Sequence, residues 1–443
     1  MLKLPRFPLR QLLFGVTVVL IALLDPFGLA SSTDDASASW LNRLLADQYA
    51  DKGQREVVVV LIDDAYLLRH DTYWPLPYSE QSKVFKRLLA YKPSAVFVDL
   101  LYSHDHSRSV DGQAPRMESQ LLANVFQRYQ RQGIPLFLAN TGLPRGEQGA
   151  VNVLPRFAEV GTPALVSWSG RGNQYPLAVS TPIGTLETPA LGLYRHYCQR
   201  RACAPLPADA VAAAQLPDMA VQWGLHQSPL QAKVSNIVDC SLPSLADQLL
   251  QAVFWKLGNS GQSNCAYSLT LSAADLETTD PDDQALLKRL LRNKLVLVGA
   301  HIVGTGDLTL SPLHGKIPGV YAHAMALDNL INWGMGYYRA TPSVAGLGSV
   351  DVLDVVELLL LALITYLKGY LAAPLFTRSL MRQQRRPLLR SLSAWALVLA
   401  LLIGLSAVLW LKNFTPANVL GLLLISLTLF SARAEARSDS KAW

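Results

Sequence analysis

Three short runs constrain the fold more than any other feature of the chain. VVVVLI (57–62), AVFV (95–98) and LVLV (295–298) are apolar without a break and rich in β-branched residues. A strand with one solvated face alternates polar and apolar positions. A run with no polar member must be covered on both faces, as in parallel sheets flanked by helices. Between the first two runs, Val84, Phe85, Leu88 and Leu89 mark one face of a helix, with Ser79 as a candidate cap. A second helix-like stretch, from about Met117 to Gln132 and closed by Gly133, leads into IPLFLANTG. Strand, helix, strand, helix, strand predicts a parallel sheet joined by crossovers. KLVLVGAHI belongs to the same sheet and precedes a glycine-broken loop and a helix from about Val320 to Asn332. The stretch from about residue 145 to 290 is less regular, with strand candidates at ALVSW and MAVQW.

In open parallel sheets, ligands sit at the carboxyl ends of the strands. Here those ends carry Asp63 and Asp64, then Asp99, then Gly299 with Asp307 in the loop beyond. The expectation is one crevice shared by these acids. Two uses compete for them. They can cap the helices that follow and satisfy orphan N–H groups, or they can hold a divalent cation, a sugar or an amine. His104-Asp105-His106 offers too few ligands for zinc and reads as a solvated loop. VGAHIVGTGD lacks the lysine of a phosphate-binding loop, and G-x-S-x-G and HExxH are absent from the sequence. No catalytic residue and no cofactor is therefore expected, and the question of a metal stays open.

Half of the 443 residues are hydrophobic and only 16% are charged, which points to membrane-buried segments. LLFGVTVVLIALL (12–24) follows Lys3, Arg6 and Arg10. It fits a cleaved export signal or, continued through Ala30, an anchor; the lack of a small-x-small site before Ser31 favours the anchor. Three more apolar runs, roughly Val352 to Phe376, Leu392 to Leu411 and Val419 to Phe430, crowd the C-terminal part. Between the first two lies TRSLMRQQRRPLLR, with Arg378, Arg382, Arg385, Arg386 and Arg390 and no acid. Such loops stay cytoplasmic. Glu357 and Lys368 flank a stretch that, at ~1.5 Å per residue, covers only about half of a ~30 Å bilayer core. At least one of the two charges is thus expected inside the membrane or snorkelling out of it. Asp351, Asp354 and Glu357, spaced by three, form an acidic stripe at the outer end of that helix. The formal charge of +6 comes without an aromatic-interleaved basic stripe, so no nucleic-acid partner is expected.

Cys198, Cys203, Cys240 and Cys265 all fall in the stretch expected outside the cytoplasm, where disulfides are the default. Four cysteines allow three pairings. The shortest loops join Cys198 to Cys203 and Cys240 to Cys265.

VVVVLIDDAYL, WPLPY, AVFVDLLYS, LVLVGAHIVGTGDLTLSP and PGVYAHAMALDNLI, set between one N-terminal and three C-terminal apolar runs, resemble the second class of CHASE domains. These are extracellular sensory modules first noted on bacterial cyclases and histidine kinases. The resemblance covers roughly residues 1 to 435 and is weakest in the middle of the exported stretch. Trp74, Pro75 and Pro77 match the family's Trp-Pro-x-Pro-Arg, with Tyr78 at the arginine position. Ser311-Pro312 stands where Thr-Pro is usual, and Pro318, Gly319, His323 and Ala324 match a late element. Family members usually signal through a cytoplasmic kinase, cyclase or phosphatase. Only about a dozen residues follow the last apolar run, judged against the ~20 that a bilayer needs, so output is expected from a separate protein.

The expectation is therefore an α/β exported domain with a mainly parallel sheet, plus one N-terminal and three C-terminal transmembrane helices. Residues 1–30 form the anchor, 31–345 the exported domain, and 346–443 the three helices with a short cytoplasmic tail. The chain would sit in a bacterial inner membrane with its main domain in the periplasm. Without acting as an enzyme, it would bind a ligand or partner through Asp63, Asp64, Trp74, Asp99, Asp307 and His323. It would couple that event to a membrane or envelope protein, or to a second copy of itself. The alternatives are a structural subunit of an envelope-spanning complex and an exported hydrolase using Asp63, Asp64, Asp99 and Asp307.

Overall fold

The apolar runs pair as their composition requires. The computed structural model describes residues 29–105, 116–143, 153–169, 173–234, 266–342, 344, 351–371 and 387–423. Six strands form one sheet: β1 (Val57–Asp63), β2 (Ala95–Val98), β3 (Leu136–Asn140), β4 (Thr162–Leu165), β5 (Leu269–Ser272) and β6 (Leu295–His301). Their spatial order is β4-β3-β2-β6-β1-β5, and every pairing is parallel. β6 comes last in the chain yet inserts between β1 and β2, pairing with β1 along its whole length from Val57–Leu295 to Asp63–His301. A two-stranded antiparallel ribbon, β7 (Leu308–Ser311) with β8 (Gly315–Pro318), follows β6.

The described helices of six residues or more are α1 (Leu29–Leu45), α2 (Asp64–Arg69), α3 (Tyr78–Ala90), α4 (Arg116–Arg131), α5 (Pro189–Cys198), α6 (Pro281–Leu291), α7 (Val320–Trp333), α8 (Val352–Leu371) and α9 (Pro387–Leu411). The period of two along a strand sorts the core into two layers. Val58, Val60 and Ile62 pack with Val96, Val98, Val296 and Val298 under α3, α4 and α6. Val57, Val59 and Leu61 pack with Phe97, Leu295 and Leu297 under α5 and α7. α7 lies directly on β6 because position 299 is glycine: a Cβ there would come within 2.7 Å of the Val320 side chain. α3 starts one residue before the expected cap. Pro77 already holds the extended backbone that precedes a helix, and no side chain caps this end. Ser79 Oγ donates instead to Glu118 (3.3 Å).

The sheet belongs to a compact unit, Asn42–Tyr337, and a second unit combines Met1–Leu41 with Tyr338–Trp443. In the second unit, the expected acidic stripe is used locally. Asp351 and Asp354 each accept the other's backbone N–H (2.8 Å both ways) at the start of α8. Glu357 accepts from Asn418 N (2.6 Å), and Asn418 Nδ2 donates to Thr33 Oγ1 (2.9 Å). Lys368 lies on α8, and its side chain is outside the described positions. Among the described residues, no helix is long and apolar enough to cross a membrane. The expected anchor segment 12–24 and most of the arginine-rich loop lie outside the described residues. A disulfide joins Cys198 to Cys203 at the end of α5, as the shortest-loop pairing predicts. Cys240 and Cys265 lie outside the described residues.

Candidate functional site

The strand-end acids do not share one crevice. Asp63 ends β1 and caps α2, accepting from Tyr66 N (2.9 Å) and from Ser272 Oγ (2.9 Å). The helix begins in the next residue, so its free N–H groups take the carboxylate. Asp63 faces a cleft of about 640 Å³ that also holds Arg69, Asp275 and Lys316. Asp64 Oδ2 accepts from Val303 N (3.0 Å) and so holds the loop after β6.

Asp99 differs. It follows β2 directly, and its own N–H continues the sheet to Val298 O (2.8 Å), but no helix begins after it. Its carboxylate makes no hydrogen bond or ion pair with any described residue. It lines a second cleft, of about 620 Å³, together with Asp307, His323, Trp74, Tyr78 and Trp168. Part of Asp99 stays open to that cleft, yet protein surrounds it on most sides. Burial, followed by the like charge of Asp307, pushes its carboxyl up to about 8. At neutral pH this favours the protonated form of Asp99.

Asp307 stands in the loop between β6 and β7. Its backbone carbonyl accepts from Gly319 N (3.2 Å), and its carboxylate folds over Gly319 so closely that a Cβ there would lie 2.4 Å from Oδ1. Glycine at 319 is what lets this acid approach the start of α7. His323, one turn further on, is 4% exposed. Its ring meets Phe97, Tyr175 and Trp168 edge-to-face at 5.2, 5.6 and 5.9 Å. Tyr175 Oη lies 2.7 Å from His323 Nδ1, and burial lowers the imidazole to about 3, so the ring is neutral. Trp74 is joined to Pro75 by a cis peptide and packs against the first core layer. Tyr78 Oη donates to His104 O (2.6 Å).

The structure thus brings Trp74, Asp99, Asp307 and His323 together and sets Asp63 and Asp64 apart. Trp168 and Tyr175 belong to the site and were not foreseen. Both lie in the irregular stretch after β4, where no periodicity marks a partner. Of the remaining polar groups, His104 Nδ1 pairs with Ser103 Oγ (2.9 Å) and Asp105 accepts from Ser119 Oγ (2.9 Å). His106 is outside the described residues. Among the described residues, no group of three or more His, Cys, Asp and Glu is placed to hold a metal.

A model of the CHASE2 domain matches residues 15–367. The chain belongs to the CHASE2 domain family. A CHASE2 domain is an extracellular sensory domain, which fits a domain held outside the cytoplasm and carrying a disulfide. No curated protein and no solved structure matches the chain. Within this CHASE2 domain the match takes in every strand of the sheet and both clefts.

Proposed function

We propose that this CHASE2 domain is the periplasmic sensor of a bacterial inner-membrane protein, taking a ligand in the Asp99–His323 cleft and passing its occupancy to a separate membrane or envelope protein. The observation that carries this reading is Asp99. An acid without a hydrogen-bond partner, desolvated at the carboxyl edge of a parallel sheet, costs stability that the fold has no structural need to spend. A ligand supplies what the surrounding residues do not. Coupling is supported by the chain's path. His323 sits early on α7, and only a few residues separate the end of that helix from Tyr338, where the second unit resumes. Anchoring is supported by the apolar runs at 12–24 and beyond 352 and by the five arginines between 378 and 390. The reading assigns no reaction to the domain.

Purification of the full-length protein from its native membrane in mild detergent tests this. The expected result is a membrane or envelope protein recovered in fixed stoichiometry, with Asp99→Asn sparing assembly and altering the response. Recovery of the chain alone or only with copies of itself would remove the coupling to a separate protein.

A further inference from the structure

The cleft has a chemical bias that goes beyond its being a ligand site. It is lined by two carboxylates, Asp99 and Asp307, and by no lysine or arginine among the described residues. Tyr78 also lines the cleft, and its hydroxyl is already committed to His104 O. The acids therefore have no cation of their own. Trp74, Leu76 and Trp168 give the same cleft an apolar, aromatic wall.

A second observation points to a bound group independently of the acids. His323 is 4% exposed, and its one hydrogen bond joins Nδ1 to Tyr175 Oη (2.7 Å). Tyr175 Oη accepts from Ala190 N (3.4 Å), and the nearby Thr188 hydroxyl gives its own hydrogen to the Pro176 and Leu177 carbonyls; we assign the Tyr175 hydrogen to Nδ1, its short 2.7 Å partner. That leaves the proton of the neutral ring on Nε2. Nε2 makes no hydrogen bond with a described residue, is not among the polar atoms sealed from solvent, and belongs to a ring that lines the cleft. The site thus offers one buried N–H donor beside two acids and an aromatic surface.

Resting on the ligand-cleft reading above, the geometry points to a small protonated organic amine that carries a hydroxyl or carbonyl oxygen. Its ammonium sits between Asp99 and Asp307, its oxygen accepts from His323 Nε2–H, and its apolar body lies on Trp74 and Trp168. A cleft of about 620 Å³ is of the size that takes such a molecule. A neutral polyol would satisfy the histidine and leave Asp99 desolvated with no counter-charge, and an anion would add a like charge beside Asp307.

Calorimetric titration of the full-length protein in detergent with 2-amino-1-phenylethanol, and with 1-phenylethane-1,2-diol as its neutral counterpart, tests the assignment. The amine should bind at least about tenfold more tightly than the diol, and Asp99→Asn should remove that preference. His323→Phe should weaken the amine by a similar factor, since the ring is kept and the donor lost. Thermal melts of each variant establish that it is folded. Equal binding of the two compounds, preference for the diol, or an unchanged preference in Asp99→Asn would overturn the amine assignment. Binding of neither would overturn it as well. Co-purification of a partner does not depend on ligand class, so a partner retained without amine binding sinks only this inference. Loss of both would sink the sensor reading beneath it.

Discussion

Asp328 shows what a carboxyl does inside this fold when no ligand is at stake. It is 0% exposed, and Oδ1 accepts from Tyr49 Oη and Asn332 Nδ2 (2.7 Å each). Its Oδ2 is buried without a hydrogen-bond partner. Burial pushes this acid up to about 8, as it does Asp99. Both carboxyls bind a proton more tightly folded than unfolded, where the ordinary value is ~3.9. Between those limits the native state holds more protons, so stability falls as pH rises. The stability they contribute is complete below about pH 4 and lost as the pH passes through about 8. Thermal melts at constant ionic strength should show the melting temperature of the α/β unit dropping from about pH 5 to pH 8. Asp328→Asn, a neutral replacement of nearly the same shape, should flatten the slope, and Asp99→Asn should flatten it further. Parallel slopes for the wild type and both variants would mean that neither acid is protonated in the native state.

At the scale of elements, the contrast between Asp63 and Asp99 explains how much of the site could be read from sequence. Both acids end an apolar strand. Asp63 is followed at once by DAYLLR, which forms α2, whereas LLYS after Asp99 opens no helix. Capping follows from the next few residues, so the split between a structural acid and a cleft acid was partly present in the sequence. The spacing of the acids alone did not reveal it. Asp63→Ala should cost about 1–2 kcal/mol in urea unfolding, because Tyr66 N and Ser272 Oγ both lose their acceptor. Asp63→Asn, which still caps, should cost less, and neither change should disturb binding in the Asp99 cleft. A loss of ligand affinity as large as that of Asp99→Asn would mean the two clefts act as one. The strands themselves were legible because a run such as VVVV admits burial on both faces and little else. The place of β6 was not. Pairing between Val57 and Leu295 joins residues far apart in sequence, and an apolar run carries no label for its neighbour. For the same reason Trp168 and Tyr175, brought to His323 by β4 and the segment after it, had no local mark.

At the scale of the whole molecule, the proposed anchoring makes a prediction about which side of the membrane each part occupies, and it rests on charge. The five arginines from Arg378 to Arg390 lie between two apolar runs, while KNFTP, after the second, carries a single lysine. Arginine-rich short loops are retained on the cytoplasmic side. If the apolar runs cross the membrane as proposed above, the unit Asn42–Tyr337 lies outside, since one such run separates it from the arginines. The Cys198–Cys203 bond agrees, because disulfides persist in an oxidising compartment. A phosphatase that is active only in the periplasm should work when fused after Tyr337 and fail when fused after Arg386. A reporter that is active only in the cytoplasm should give the reverse. Replacing the five arginines with serine should blur the difference at Arg386 and leave the fusion at Tyr337 unchanged, because the leader with Lys3, Arg6 and Arg10 still orients the first run. Phosphatase activity at both positions in the unaltered chain would mean that the run after Val352 does not cross. Occupancy of the Asp99 cleft would then have no transmembrane route, and the sensor would have to hand its state to a partner within the periplasm.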